Sequence, residues 1–378
     1  MDQDFRHIIT QVESLPELIE GELETLDLRV RRLLTHNECL SVKRVVITGS
    51  GDSHMAGLAT ELAFERIAGV PTEPMTGMQT GRYASPHFDA MFPRNPLVLA
   101  ISVSGTVART REAVILARKQ GALTVAITAN PDSPLAGAAE YILDCTVPES
   151  VPAPGVRSYR VSLMMLYLLA IHLAEVNGRI TQDRANEYRQ ELKGTAKTIA
   201  ATIQAVNDKT RELAQAVAAQ KNYVFVGDGP NYATALFSAA KVIEAAGRHA
   251  MGQDTEEWAH LQYFTNTDPE TPTFMISPGQ RGHGRAVELA AMMKQVGRTV
   301  IGVVPEGETE ISGLADWVLP VVGEVSEIYS PMVYAVAGEL FSAYLSEAIG
   351  EPPFRQFSNA YVPQGITIRN SAVMEEVG

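Results

Sequence analysis

The sequence predicts an α/β protein made of two consecutive copies of one parallel-sheet unit, each sheet flanked by helices in a flavodoxin-like three-layer sandwich. Three observations predict it. Short β-branched runs alternate with helical periodicity, turns rich in glycine or serine join them, and the same order of elements returns about 175 residues further on.

Residues 5 to 40 interleave acidic and apolar positions and read as helical. "VKRVVITGSGDSHMAGLATELAFERIAG" then reads as a strand (Val45 to Thr48), a glycine turn and a helix with Ala, Leu and Phe on one side. "LVLAISVSGTVARTREAVILARKQGALTVAIT", residues 97 to 128, reads as strand, Ser-Gly turn, helix and next strand. Alternation of this kind places parallel strands under helices on both faces. "NYVFVGDGPNYATALFSAAKVIEAAG" repeats the first of these stretches and "PTFMISPGQRGHGRAVELAAMMKQVGRTVIGVV" the second. Ser277, Lys294-Gln295 and Thr299-Val300 fall where Ser102, Lys119-Gln120 and Thr124-Val125 fall. The joint is expected in the polar helical stretch from roughly 180 to 220. The expected domains are therefore 1–40 (helical segment), 41–195 and 196–350 (the two sheet domains) and 351–378, a Pro-rich aperiodic tail.

Composition narrows the function. Apolar residues make up 46% and charged residues 20% of the 378, as in a globular protein. The net charge of −13, from 31 Lys+Arg against 44 Asp+Glu, speaks against nucleic-acid and membrane-surface partners. A small anion is still admissible, because backbone N–H groups at a helix start hold one without net positive charge. Two cysteines, Cys39 and Cys145, do not make a disulfide framework. The acidic start "MDQDFRHIITQVESLPEL" does not read as a signal peptide. "VSLMMLYLLAIHLA" (161–174) is short for a membrane span, contains His172 and reads as a core helix. A cytoplasmic protein is the expectation.

Four places could carry chemistry. In Ser102-Val103-Ser104-Gly105-Thr106, hydroxyls surround a glycine where a strand meets a helix. That describes either a phosphate cradle or a single serine N-cap. Gly49-Ser50-Gly51-Asp52-Ser53-His54 is a second wall of the same pocket or a tight, capped connection. Lys241 and Glu244, three apart on an apolar helix, form a polar stripe with Thr234 and Ser238, which spacing alone makes a solvated face with an ordinary ion pair. In "DTEEWAH", Glu256 or Glu257 could pair with His260. The sequence has no H-E-x-x-H, no Cys/His zinc spacing and no G-x-S-x-G elbow, so neither a metal nor an activated serine is indicated.

Taken together, these residues resemble the sugar isomerase (SIS) domain family, and within it the two-domain members. These include the isomerase half of glutamine–fructose-6-phosphate aminotransferase and the amino-sugar-phosphate deaminases. The resemblance covers roughly residues 40 to 350. "SVSGTVART" matches the family's S-x-S-G-x-T-x-x-T loop, which binds the sugar phosphate and so implies Ser102, Ser104 and Gly105, with Thr106 beside them, as phosphate ligands. "GSGDS" brings Gly51 and Ser53 into the same pocket, and "PGVRSYRVS" places Val156 and Ser158 near the sugar. "AAKVIE" matches the family's Lys-x-x-Glu helix and "EEWAH" its histidine segment. The resemblance thus implies that Glu244 moves a proton between C1 and C2, His260 opens the ring and Lys241 shuttles protons at the ring or C1 oxygen. It further implies a homodimer with composite sites, since the family histidine commonly comes from the partner subunit.

Three departures matter. The family threonine in the loop is Val107, with Thr106 and Thr110 as the nearby hydroxyls. The chain begins Met-Asp with no N-terminal cysteine, so ammonia from glutamine is not expected. "NAYVPQGITIRNSAVMEEVG" has no lysine for a Schiff base, although Gln364 or Arg369 could contact sugar. The expectation is a phosphosugar isomerase without cofactor or metal that deaminates a 2-amino-hexose 6-phosphate. A plain aldose–ketose phosphate isomerase, a fructosamine-type deglycase and a non-catalytic phosphosugar sensor stand as alternatives.

Overall fold

The computed structural model describes residues 4–88, 94–265 and 268–354. Its contacts group the chain into two units. One holds residues 21–88, 94–149 and 158–192, the other residues 4–20, 150–157, 193–265 and 268–354. They are called the first and second unit below.

The first unit is built on a parallel sheet of β1 (Val45–Gly49), β2 (Thr72–Thr76), β3 (Arg94–Ile101), β4 (Ala122–Thr128) and β5 (Tyr141–Asp144). Their order is β2-β1-β3-β4-β5. β1 and β4 are buried at every position, which is why they read as unbroken apolar runs without alternation. β1 is held between Thr72–Thr76 and β3, with Val46 opposite Glu73 on one side and Val98 on the other. The helix Arg157–Val176 is longer than the apolar run suggests, 20 residues, and long and apolar enough by composition to cross a membrane. It is buried along most of its length, as a core helix is.

The second unit repeats the plan with β6 (Asn222–Gly227), β7 (His249–Gln253), β8 (Pro272–Ile276), β9 (Thr299–Pro305) and β10 (Trp317–Val321). Read from the same side, the order β7-β6-β8-β9-β10 is that of the first unit. Phe225 stacks on Phe274 at 4.4 Å, and Phe341 of the helix Ser330–Ile349 meets Phe274 edge-on at 4.7 Å. Rings in these geometries add to what area burial alone supplies.

In both units the strand order reverses direction beside the first strand, between β1 and β3 and between β6 and β8. Crevices that take ligands in open α/β sheets lie at the carboxyl ends of such neighbours. The glycine turns predicted from sequence fall there. Gly51 (φ 59°, ψ −131°) and Gly229 (φ 54°, ψ −128°) occupy the same position in their units, in a region open essentially to glycine alone.

Two histidines of the first unit, His54 and His172, have a buried Nδ1 with no hydrogen-bond partner. Burial is the main cause that pushes both below the ordinary 6.5, against a hydrogen bond with the Met75 backbone at His54. The unfolded chain therefore binds protons that the folded one refuses, and stability falls as pH drops below about 6.5. Unfolding midpoints measured at about pH 8 and pH 5.5 should differ, and His172→Gln should narrow the difference. An unchanged difference in that variant would show that His172 does not contribute.

Candidate active site

Ser102 to Val107 connect β3 to the helix Ala108–Lys119. The turn is fixed by its own backbone: Gly105 N–H donates to Ser102 O (2.9 Å), Ala129 N–H to Val103 O (3.0 Å) and Leu135 N–H to Gly105 O (3.1 Å). No serine caps the helix. Val107 is its N-cap and makes no side-chain cap bond, so the single-serine N-cap reading is not what the chain does. The position where the family has threonine is thus the one that leaves the helix start uncapped, with its orphan N–H groups and positive dipole end. Ser104 and Thr106 are exposed and bonded to each other through their hydroxyls at 2.9 Å. Ser102 is 3% exposed, and its Oγ has no partner. A buried hydroxyl in that condition is costly unless a ligand completes it.

Gly105 serves a different purpose from close approach to a ligand. A Cβ there would lie 2.0 Å from Ser133 Oγ, and Ser133 caps the helix Pro134–Ala138. The neighbouring turn places Gly51 at the exposed start of the helix Asp52–Ala63, with Ser53 half-buried in its first turn. Val156 is fully buried (0%), so its side chain offers a ligand no surface. Ser158 is half-buried at the start of Arg157–Val176 and accepts from Ser162 Oγ at 3.0 Å through its carbonyl.

The Lys241–Glu244 stripe is a correction to the spacing argument. It is not solvated: Asn231, Thr234, Ser238 and Lys241 are 0–1% exposed on the helix Pro230–Ala246. Asn231 donates to Ser330 Oγ (2.8 Å), and a Cβ at Gly338 would lie 2.2 Å from Ser238 Oγ, so the helix Ser330–Ile349 covers the stripe. Lys241 Nζ donates to Glu244 Oε2 and lies 4.8 Å from the Phe237 ring centroid. Only the glutamate reaches solvent, its side chain 32% exposed. A buried cation holding a half-exposed carboxylate is a suitable base for an exposed substrate carbon.

His260 ends the short helix Thr255–His260 and is 73% exposed, with Glu256 3.8 Å from its Nε2. The sequence left Glu256 and Glu257 both open as its neighbour; it is Glu256. Gln364 and Arg369 lie outside the described residues.

The SIS domain model matches residues 40–172 and 216–345, one match for each sheet. The chain belongs to the SIS domain family. Glutamine–fructose-6-phosphate aminotransferase (isomerizing) of Gloeobacter violaceus is 27% identical over 351 residues, 92% of this chain and 56% of the relative. The chain spans about half the length of the curated relatives it matches. The C-terminal domain of glucosamine-fructose-6-phosphate aminotransferase from Francisella tularensis shares the fold with a TM-score of 0.78 at 17% identity, covering 92% of this chain and 97% of that one. Glucosamine-6-phosphate deaminase from Thermotoga maritima shares it with a TM-score of 0.66 at 18% identity, covering 92% and 96%.

Two further groups stand at the first SIS turn: Thr110, which the sequence named as a hydroxyl near Val107, and His54, to which it gave no role. Thr110 is fully buried with an unpartnered Oγ1, one turn into the helix whose start is open, and His54 has its own orphan nitrogen in the first turn of Asp52–Ala63. Thr110 was legible as the last hydroxyl of "SVSGTVART"; His54 had no signal beyond adjacency to Ser53. In the second SIS unit, His283, Glu308 and Glu310 bring three possible metal-ligand atoms within 4.8 Å of one another. Glu308 is already spent. Its two oxygens accept from the N–H groups of Glu310, Ile311 and Ser312 and from Ser312 Oγ, which fills its acceptor positions and makes it a turn cap.

Proposed function

We propose that the protein is a phosphosugar isomerase that deaminates a 2-amino-2-deoxyhexose 6-phosphate to the ketose phosphate and ammonia. The observation that carries the reading is the buried, unpartnered Ser102 hydroxyl beside an uncapped helix start at the β1/β3 switch point. A phosphate there accepts from Ser102, Ser104, Thr106 and the first N–H groups of Ala108–Lys119. The names of relatives, an isomerizing aminotransferase and a glucosamine-6-phosphate deaminase, support the amino-sugar class.

The carbon chemistry is assigned to the second SIS copy. His260 protonates the ring oxygen while the anomeric hydroxyl loses its proton, which gives the open-chain amino-aldehyde. Glu244 removes the C2 proton as the C1 oxygen takes up a proton, leaving an enolamine with a double bond between C1 and C2, and returns its proton to C1 as the amine nitrogen gives one up. The product is a C2 ketimine, which one water hydrolyses to the ketone and ammonia. Lys241, fully buried, holds Glu244 in place; its burial does not fit the proton shuttle at the ring or C1 oxygen that the resemblance implies. The active form is a homodimer. Leu261, Tyr263 and Phe264, which follow His260 directly, are 58%, 38% and 72% exposed, more apolar surface than one short turn leaves in water without a partner. The compartment is the cytoplasm: Cys39 and Cys145 are free, and burial pushes their thiols up to about 11 and about 12, as inert structural cysteines.

A panel of hexose and amino-hexose 6-phosphates, with ketose and ammonia read separately, tests the reading. Equal release of both from glucosamine 6-phosphate supports it. Ketose without ammonia from hexose phosphates identifies the plain isomerase, and binding without product identifies a sensor. Ser102→Ala gives a second check: it should leave stability unchanged or raise it by up to about 1 kcal/mol, and weaken substrate binding about tenfold. A loss of stability with unchanged binding would remove Ser102 from the phosphate site.

A further inference from the structure

We infer that Asp228 is the positioning residue for His260, an inference that rests on the function proposed above. His260 closes a helix of only six residues, Thr255–His260. A helix of that length has no stability of its own, so its direction is set by what clamps it. His260 itself is mostly in water and cannot orient the segment through its own contacts.

The clamp is a carboxylate on another element. Asp228 stands in the turn directly after β6, at the carboxyl end of the sheet. Its Oδ1 accepts from Thr255 N–H and Thr255 Oγ1, both at 3.0 Å, and its Oδ2 lies 3.0 Å from the same hydroxyl. Thr255 is the first residue of the helix and 3% exposed. Asp254 completes the turn by accepting from Glu257 N–H at 2.8 Å, and Trp258, 1% exposed, packs the helix onto the core of the unit. Of these anchors only Asp228 ties the helix start to the sheet edge by hydrogen bonds, and a carboxylate accepting two of them restrains direction as well as distance.

The duplication supplies the control. The turns "GSG" and "GDG" correspond residue by residue in sequence, with Gly51 and Gly229 in the same backbone conformation. Ser50 therefore holds the place of Asp228 in the first copy, where it is exposed. The strand-to-helix turn forms without a carboxylate there, so Asp228 is not a requirement of the SIS turn. The copy with the carboxylate is the one with the candidate histidine.

The test measures glucosamine 6-phosphate turnover by Asp228→Ala, Asp228→Asn, Thr255→Val, His260→Ala and the double variant D228A/H260A, with hydrogen exchange of the segment 254–261. Asp228→Ala should lower kcat about 30- to 100-fold with KM within about threefold, the size expected of a misplaced catalytic group. Asp228→Asn, whose amide oxygen can accept the two bonds of Oδ1, should recover most of the rate. Thr255→Val, which keeps the N–H contact, should fall between them. The double variant should be no slower than His260→Ala alone, because the two residues act as one unit. Exchange in 254–261 should rise in Asp228→Ala while that of β6 stays as it was. Wild-type kcat in Asp228→Ala, or multiplicative losses in the double variant, would overturn the inference with the proposed function intact. Wild-type turnover in His260→Ala would instead overturn the role given to His260, and the inference with it.

Discussion

Replacing Glu244 by Gln lowers kcat for ketose formation by at least about a thousandfold, with KM within about threefold. The side chain keeps its shape and its reach to solvent but can no longer take a proton from carbon. Its partner makes the experiment decisive. Lys241 is fully buried, and the variant removes the negative charge that Glu244 places beside its ammonium. Glu244→Gln should therefore also lower the melting temperature, which invites a purely structural explanation of the lost activity. A thermal melt of the variant separates the two: Glu244→Gln that is still folded at the assay temperature and inactive has lost the base rather than the fold. Turnover of Glu244→Gln within about tenfold of wild type would take Glu244 out of the proton-transfer role.

Gly105→Ala should destabilise the first unit by about 3–5 kcal/mol, more than a surface-turn substitution costs. The new Cβ would lie 2.0 Å from Ser133 Oγ, 2.2 Å from Ser133 Cβ and 3.0 Å from Thr128 Oγ1. Ser133 cannot swing aside, since it is 3% exposed and its Oγ caps Pro134–Ala138 through Ala136 N–H. Backbone strain at φ 67° adds about 1–2 kcal/mol. The double variant with Ser133→Gly should recover the clash but not the strain, because glycine replaces serine at an N-cap at a cost of a few tenths of a kcal/mol, roughly. Urea unfolding followed by circular dichroism reads both. A free energy of unfolding for Gly105→Ala within about 0.5 kcal/mol of wild type would show that the loop relaxes.

The fold was legible because it is written twice. Each strand-turn-helix order appears in both halves, and the observed strands β1, β3, β4, β6, β8 and β9 cover the runs that the sequence singles out. The phosphate turn was legible for the same local reason: hydroxyls and a glycine follow a buried strand. What lay outside the sequence was anything decided by a distant segment. Spacing put Lys241 and Glu244 on one face, but whether that face meets water depends on the helix Ser330–Ile349, about a hundred residues later, and Gly338 is what lets it come close. Val156 is the converse case, matched to a sugar-contacting loop yet turned into the core. The N-cap alternative failed at a position the sequence did name, Val107, because a β-branched apolar residue leaves the cap empty.

The two glycine turns have one more consequence. Changing the sign of both dihedral angles at Gly51 gives φ −59°, ψ 131°, and at Gly229 φ −54°, ψ 128°, ordinary extended backbone for an L-amino acid. Each of these two turns therefore contains a residue with the handedness of the opposite enantiomer. Between the copies, Ser50 has become Asp228 and Ser53 has become Asn231, but this position is held by the single achiral residue that translation offers. The neighbours set what each crevice binds; the mirror-image step between them sets where the crevice is.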